Sequence, residues 1–228
     1  MIWLGIDTSH TPLSVAVMKD EQVLASFQSS VKITHSIGAM PAIEELLKKV
    51  DIQPNEIDAI AVAKGPGSYT GVRIGVTIGK TLAWTLNIPI FSVSSLQVLA
   101  GNVPYFPGIV CAIMDARRGN VFAGIYVNGE VVKESHMSLV ELLATVDEMD
   151  QPVIFVGMDV DIHWDPIKEV LGDKVHRTNG AFALPNAAVL IELAKKQESS
   201  EVHTTVPEYL RITEAEANWM KEQKKNDN

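Results

Sequence analysis

The densest concentration of residues suited to chemistry is the run GPGSYTGVRIG, from Gly65 to Gly75. A glycine turn that follows a buried strand and opens a helix lets backbone N–H groups approach a phosphate. The same residues equally make a plain tight turn with Thr70 as the helix N-cap, and glycine alone does not separate the two readings. Just beyond, Gly75 to Thr81 reads GVTIGKT, with three residues between its glycines where a phosphate loop needs four; Lys80 also falls inside the helix, which argues against a nucleoside triphosphatase of that type. His10, His35, His136, His163, His176 and His203 occur singly, with no two at metal-ligand spacing. Cys111 sits in the apolar run IVCAIM, and neither Ser68 nor Ser95 has a base identifiable from sequence, so nucleophilic catalysis has no strong candidate. Glu44-Glu45 and the pair Glu214/Glu216 read as solvated helix faces. Arg73, Arg117 and Arg118 read by default as partners of surface carboxylates.

Composition narrows the classes further. With 228 residues and 46% apolar content, the chain can bury a sizeable core. A formal charge of −9 repels phosphate backbones, and the one basic cluster, Lys221, Lys224 and Lys225, lies in a polar tail, so nucleic acid is expected only through a partner. The N-terminal residues MIWLGIDTS carry no basic leader, and no apolar stretch approaches the roughly 18 residues that span a bilayer. A single cysteine suits a reducing compartment, so the sequence predicts a cytoplasmic protein with no membrane contact.

The strands and helices around these residues repeat. Ile2 to Ile6, ending at Asp7, is followed by β-rich runs Ser14 to Met18 and Val23 to Phe27. The pattern returns 108 residues later, with Val110 to Met114 ending at Asp115, then Val121 to Val127 and Val131 to Lys133. Each triplet leads to an amphipathic helix, His35 to Val50 or Ser138 to Glu148, then to a buried strand, Ile57 to Ala63 or Val153 to Val156. Further helices are expected at Gly71 to Leu86 and Pro185 to Gln197. The predicted architecture is a duplicated α/β fold of two βββαβα domains, 1–102 and 103–228, with a cleft between them. That arrangement is similar to the actin, Hsp70 and sugar-kinase superfamily (RNase H-like).

Within the helix after the glycine turn, Gly71, Gly75, Gly79 and Ala83 recur every four residues and line small side chains along one face. The apolar arc covers about 200°, twice what one core face requires. One side is expected to meet the sheet and the other a partner, and the predicted interface comprises Met40, Ile43, Gly71, Val72, Gly75, Val76, Gly79 and Ala83.

The stretch GPGSYTGVRIGVTIGKTLA resembles the signature of the TsaB (YeaZ) family. LGIDTS with SVAV at the amino terminus, His35-Ser36, MDARRG from Met114, PEYLR from Pro207 and EAE from Glu214 extend the resemblance along nearly the whole chain. Asn120 and Phe122 stand where the family often has Glu and Tyr, and Tyr69 replaces the usual Phe. The resemblance implies a non-catalytic subunit that heterodimerises with TsaD, is joined by the ATPase TsaE, and supports threonylcarbamoyl transfer to adenosine 37 of ANN-reading tRNAs. It also implies a homodimer when TsaD is absent. TsaD-like relatives carry an HxxxH metal pair; alignment places Ser95 and Leu99 there, so no metal is expected. Kinase relatives use an Asp-x-Gly-Thr turn, whereas Asp7-Thr8-Ser9 lacks the glycine, and Val156-Gly157-Met158-Asp159 keeps one glycine of the paired adenosine motif. No intrinsic cofactor is expected. Weak nucleotide contact is assigned to Asp7, Thr8, Ser9, Gly65 and Gly67, with ADP or ATP at the complex interface. The competing classes are an ATP-dependent small-molecule kinase and a metal-dependent peptidase.

Overall fold

The computed structural model describes residues 1–31 and 34–210. In the first half, β1 (Ile2–Asp7), β2 (Leu13–Lys19) and β3 (Gln22–Ser29) form an antiparallel meander, with Asp7 opposite Ser14. After α1 (His35–Lys49), β4 (Ala59–Ala63) adds parallel to β1; after α2 (Tyr69–Leu86), β5 (Ile90–Val93) adds parallel to β4. The sheet order is β3-β2-β1-β4-β5, followed in sequence by the short α3 (Ser95–Ala100). The second half repeats this order with β6 (Ile109–Asp115), β7 (Asn120–Val127), β8 (Glu130–Ser138), α4 (Leu139–Glu148), β9 (Val153–Val156), α5 (Trp164–Leu171), β10 (Val175–Arg177) and α6 (Ala187–Ala194). Its sheet reads β10-β9-β6-β7-β8, the same topology.

The duplication extends to an irregularity. The β2–β3 register shifts between Val17 and Met18, and the β7–β8 register shifts between Ile125 and Tyr126, at the same offset that relates Asp7 to Asp115. A bulge is a local device that bends a strand, so its recurrence at one position favours a repeated unit over two independent hairpins. Each unit is one strand and one helix longer than the βββαβα pattern expected. The helix matching α2 is α5, in place of Pro185 to Gln197. Pro166 in its first turn and the 3-10 segment Met158–His163 before it break the helical period that sequence reasoning relies on.

Helices cover both faces of each sheet, which is why β4, AIAVA, is buried throughout. On one face of the first sheet, Leu4, Ile6, Val15, Ile60 and Val62 pack with Ile43, Leu46 and Leu47 of α1 and with Val72, Val76 and Ala83 of α2. The opposite face is lined by the small residues Ala16, Ala59, Ala61 and Ala63, and α6 lies on it. Close approach is enforced at Gly5, where a Cβ would come within 2.6 Å of the Ala187 carbonyl oxygen. The Ala187 N–H donates to Ser14 Oγ at 2.9 Å and closes the contact. Conversely, Leu96, Leu99 and Ala100 of α3 pack on Val110, Ala112 and Tyr126 of the second sheet. The two halves therefore exchange their last helices, and the cleft opens between sheets that are interlocked at their base. No helix among the described residues is long and apolar enough to cross a membrane.

Candidate functional site

The glycine run forms a turn from β4 into α2, with Gly65 at φ 105° and Gly67 at φ 154°. The helix starts earlier than expected: Ser68, not Thr70, is the N-cap, its Oγ accepting the Gly71 N–H at 3.3 Å. The space in front of this N-terminus is filled by the protein's own β1–β2 turn. Ser68 N–H donates to the Ser9 carbonyl at 2.7 Å, and Thr8 Oγ1–H donates to the Gly71 carbonyl at 2.7 Å. A Cβ on Gly67 would strike the Ser9 carbonyl, one on Gly71 the Thr8 carbonyl, and one on Gly75 Thr8 Oγ1. The glycines thus admit Thr8 and Ser9, where in an anion site they would admit a phosphate.

Asp7 lies beneath this plug, fully buried. Its Oδ1 accepts from Ser9 N at 2.8 Å and Ser9 Oγ at 2.7 Å, while Oδ2 has no hydrogen-bond partner among the described residues. Burial pushes its carboxyl above the ordinary range, against the lowering effect of the Ser9 bonds. Of the five residues expected to touch nucleotide, Asp7, Thr8, Ser9 and Gly65 are buried, and Gly67 alone lines the cleft.

The expected partner interface needs a larger correction. Ile43, Gly71, Val72, Gly75, Val76, Gly79 and Ala83 are all buried within this chain, and of the eight only Met40 is exposed, at 45%. The four-residue spacing serves close packing of α2 on its own sheet; at Gly79 a Cβ would strike Val62 Cγ1. The remaining apolar width of α2 is taken up by α1 and by the strap 200–210. Lys80 Nζ fastens the strap by donating to the carbonyls of His203 at 3.0 Å and Thr205 at 2.8 Å. The large apolar side chains that α1 and α2 leave open are Ile37 at 73%, Met40 and Trp84 at 68%, with Tyr69 exposed at the cleft end of α2.

Between the sheets lies a cavity of about 870 Å³. One wall carries the glycine turn and the strap. There Tyr69 and Tyr209 bring their ring centroids to 5.2 Å, and Arg73 stacks on Tyr69 at 3.7 Å while its Nε–H donates to Tyr209 Oη at 2.6 Å. Arg73 was expected to pair with a carboxylate and instead orders two rings. The other wall carries the β6–β7 turn with Asp115, Arg117 and Arg118. The cleft floor holds two His–Asp pairs that sequence reasoning missed: His10 Nε2 with Asp159 Oδ2 at 2.8 Å, and His163 Nε2 with Asp115 Oδ1 at 3.1 Å. The Asp115 N–H also donates to Asp159 Oδ2 at 2.8 Å. Burial disfavours the His10 imidazolium, but the bond to Asp159 and the nearby carboxyls outweigh it and raise the ring above its usual range. Burial would raise Asp159, yet His10 holds it below the usual carboxylate range. Separations of 149 and 48 residues leave no spacing signal from which these pairs could be read.

At the two positions aligned with the metal pair, Ser95 Oγ accepts the Gly65 N–H at 3.1 Å and Leu99 is core. No group of three or more His, Cys, Asp or Glu among the described residues is arranged to hold a metal ion. Cys111 is fully buried, which pushes its thiol far above the usual range and away from the reactive thiolate.

Known proteins share this sequence and geometry. The family model described as TsaD, tRNA N6-adenosine threonylcarbamoyltransferase, matches residues 22–219. A Bacillus subtilis (strain 168) protein described as tRNA threonylcarbamoyladenosine biosynthesis protein TsaB is 45% identical over 229 residues, covering 98% of this chain and 100% of its own. Among solved structures, a Pseudomonas aeruginosa protein described as similar to the peptidase YeaZ matches with a TM-score of 0.78 at 27% identity, over 92% of this chain and 99% of that one. The ROK hexokinase from Thermus thermophilus matches with a TM-score of 0.53 at 13% identity, over 86% and 99%, a likeness of fold alone.

Proposed function

This chain belongs to the TsaB family and has a role in tRNA threonylcarbamoyladenosine synthesis, and from that premise we propose that it acts as a non-catalytic partner subunit. In this reading it heterodimerises with a TsaD-type transferase, the ATPase TsaE joins the pair, and tRNA is met only through the complex. The observation that carries the reading is the closed β1–β2 turn. Ser9 and Thr8 occupy the α2 N-terminus, and Asp7 is sealed under them. A kinase of this fold needs that carboxylate exposed to nucleotide and metal, and phosphoryl transfer depends on positioning and electrostatics that a buried, raised carboxyl does not supply.

Peptidase chemistry gains no support from the residues either. The hydroxyls of Ser68 and Ser95 accept backbone N–H groups of the glycine turn, and the metal positions hold serine and leucine. The surface offered to the transferase is the outer side of α1 and α2, where Ile37, Met40 and Trp84 remain exposed; solvent-facing apolar side chains on adjacent helices suit a helical partner. In the absence of the transferase the same face pairs with a second copy, so homodimer and heterodimer compete. A reducing cytoplasm agrees with the buried lone thiol of Cys111.

Reconstitution tests the reading. Transferase, TsaE and tRNA supplied with threonylcarbamoyl donor are expected to form modified tRNA only when this chain is added, and this chain is expected to give no product without the transferase. Product formation by this chain alone would refute the non-catalytic assignment.

A further inference from the structure

We propose that His10 is a proton switch between the two halves: taking up a proton frees the end of the β1–β2 turn and tightens the clasp on Asp159 across the cleft floor. The ring stands at a junction of elements. His10 belongs to the β1–β2 turn, and its Nε2 lies 2.8 Å from Asp159 Oδ2, in the 3-10 segment Met158–His163 of the second half. Its Nδ1 accepts the Thr11 N–H at 2.7 Å.

These two contacts fix the tautomer. A backbone N–H can only donate, so Nδ1 carries a lone pair and the ring proton sits on Nε2, donated to Asp159. A second proton has one place to go, Nδ1, and it cannot share that site with the Thr11 N–H. Protonation therefore expels the Thr11 N–H, which meets water because Thr11 is exposed. In exchange, the neutral donor to Asp159 becomes a cation, adding Coulomb attraction to a bond whose two side chains are only 21% and 14% exposed. One contact inside the first half is traded for a stronger one to the second. The bonds of Thr8 and Ser9 to α2 involve neither ring nitrogen, so the switch acts on the end of the turn and leaves the seal over Asp7 in place.

Opposing pulls act on this one ring. Burial disfavours the cation, but the bond to Asp159 and the carboxyls of Asp159, Asp7 and Asp115 outweigh it and raise the ring above its ordinary 6.5, while the Thr11 N–H favours the neutral form. The other titratable groups at the junction are His163, 3.1 Å from Asp115, and His35 of α1, whose Nε2 lies 3.2 Å from the Thr11 carbonyl. Arg117, Arg118 and Glu208 face the cleft that His10 lines. With the folded value raised, the ion pair is fully present below 6.5 and is lost as pH rises through the folded value. Asp159, held below 3.8, stays charged throughout that window. None of Ile37, Met40 or Trp84 takes part, so the switch stands or falls separately from the partner reading.

Proton–nitrogen NMR of the full chain, titrated from alkaline to mildly acidic pH, reads the two ring nitrogens separately. The His10 ring is the one missing from His10→Gln, whose amide still donates to Asp159 but takes up no proton. At alkaline pH the ring is expected to carry its proton on Nε2; as pH falls, Nδ1 gains a proton with a midpoint above 6.5. The Thr11 amide in the first half and the Asp115 amide in the second, which donates to Asp159 Oδ2 at 2.8 Å, are expected to move with that same midpoint. Asp159→Asn should lower the ring's midpoint below that of wild type, and His10→Gln should abolish the shared transition of the two amides. A ring protonated on Nδ1 at alkaline pH, a midpoint at or below 6.5, or amides that do not follow the ring would overturn the proposal. A shared transition that persists in His10→Gln belongs to Asp7 or His163 and overturns it as well. Assignment of the ring through its own backbone makes the wild-type titration decisive even where a variant fails to fold.

Discussion

Asp7 ends β1 as a fully buried carboxyl, held under the β1–β2 turn. Its carboxyl is buried with Oδ2 unsatisfied among the described residues, and burial raises its pKa. A carboxyl whose folded pKa lies above the unfolded value gives its full stability contribution below the unfolded value, 3.8, and loses it as pH rises through the folded value. At neutral pH the ionised form is therefore a cost, which a neutral amide that still accepts from Ser9 avoids. Asp7→Asn should raise stability near pH 7.5 on the order of 1 kcal/mol, or about 2–4 °C in melting temperature, and the gain should vanish toward pH 4. Paired thermal melts at the two pH values check this; a fall at neutral pH would mean that the charge is satisfied in the fold. The sequence places Asp7 at a strand end, but its burial depends on Thr8 and Ser9 seating against α2, a tertiary contact with no local signal.

The helix α2 carries the clearest sequence pattern, and within this chain the face it marks is packed against the first sheet and the β1–β2 turn. Spacing of Gly71, Gly75, Gly79 and Ala83 fixes that they share a face, but not what the face meets. The structure sets it on Thr8, Ile60 and Val62, because glycine is required where backbone oxygen approaches helix. The apolar arc looked too wide for one sheet because the strap 200–210, polar and without periodicity, covers one flank through Lys80, Arg73 and the 2.7 Å bond from Glu208 N–H to the Lys64 carbonyl. In an open helix Gly→Ala stabilises by about 1 kcal/mol. Here Gly71→Ala sets a Cβ against the Thr8 carbonyl, which cannot rotate away, so a net loss of about 2–3 kcal/mol is expected. Urea titration of Gly71→Ala against Thr77→Ala, an exposed position on the same helix, measures it. Equal stability of the two variants would place the glycine face somewhere other than against the β1–β2 turn.

Across the whole molecule, the duplication was legible because strand triplets repeat with their turns at a fixed offset, and the structure extends the match to the bulges. The exchange of α3 and α6 was not legible, since it depends on an alanine-lined sheet face selecting a close-packing helix from the other half. Nor was the cleft floor, where His10–Asp159 joins residues from the two halves of the chain. The proposed role as a contacting subunit rests on the buried β1–β2 turn and on the apolar side chains left open on α1 and α2. In that proposal the partner surface is narrower than the sequence predicts, comprising Ile37, Met40 and Trp84, which are exposed. The most direct measurement is the affinity of the full chain for the transferase by sedimentation, comparing wild type with Ile37→Glu/Met40→Glu and with Trp84→Glu after melts show each variant folded. Exposed positions tolerate such changes, so the account predicts intact folding with affinity reduced about 30-fold or more for each variant. Wild-type affinity in both variants would contradict it.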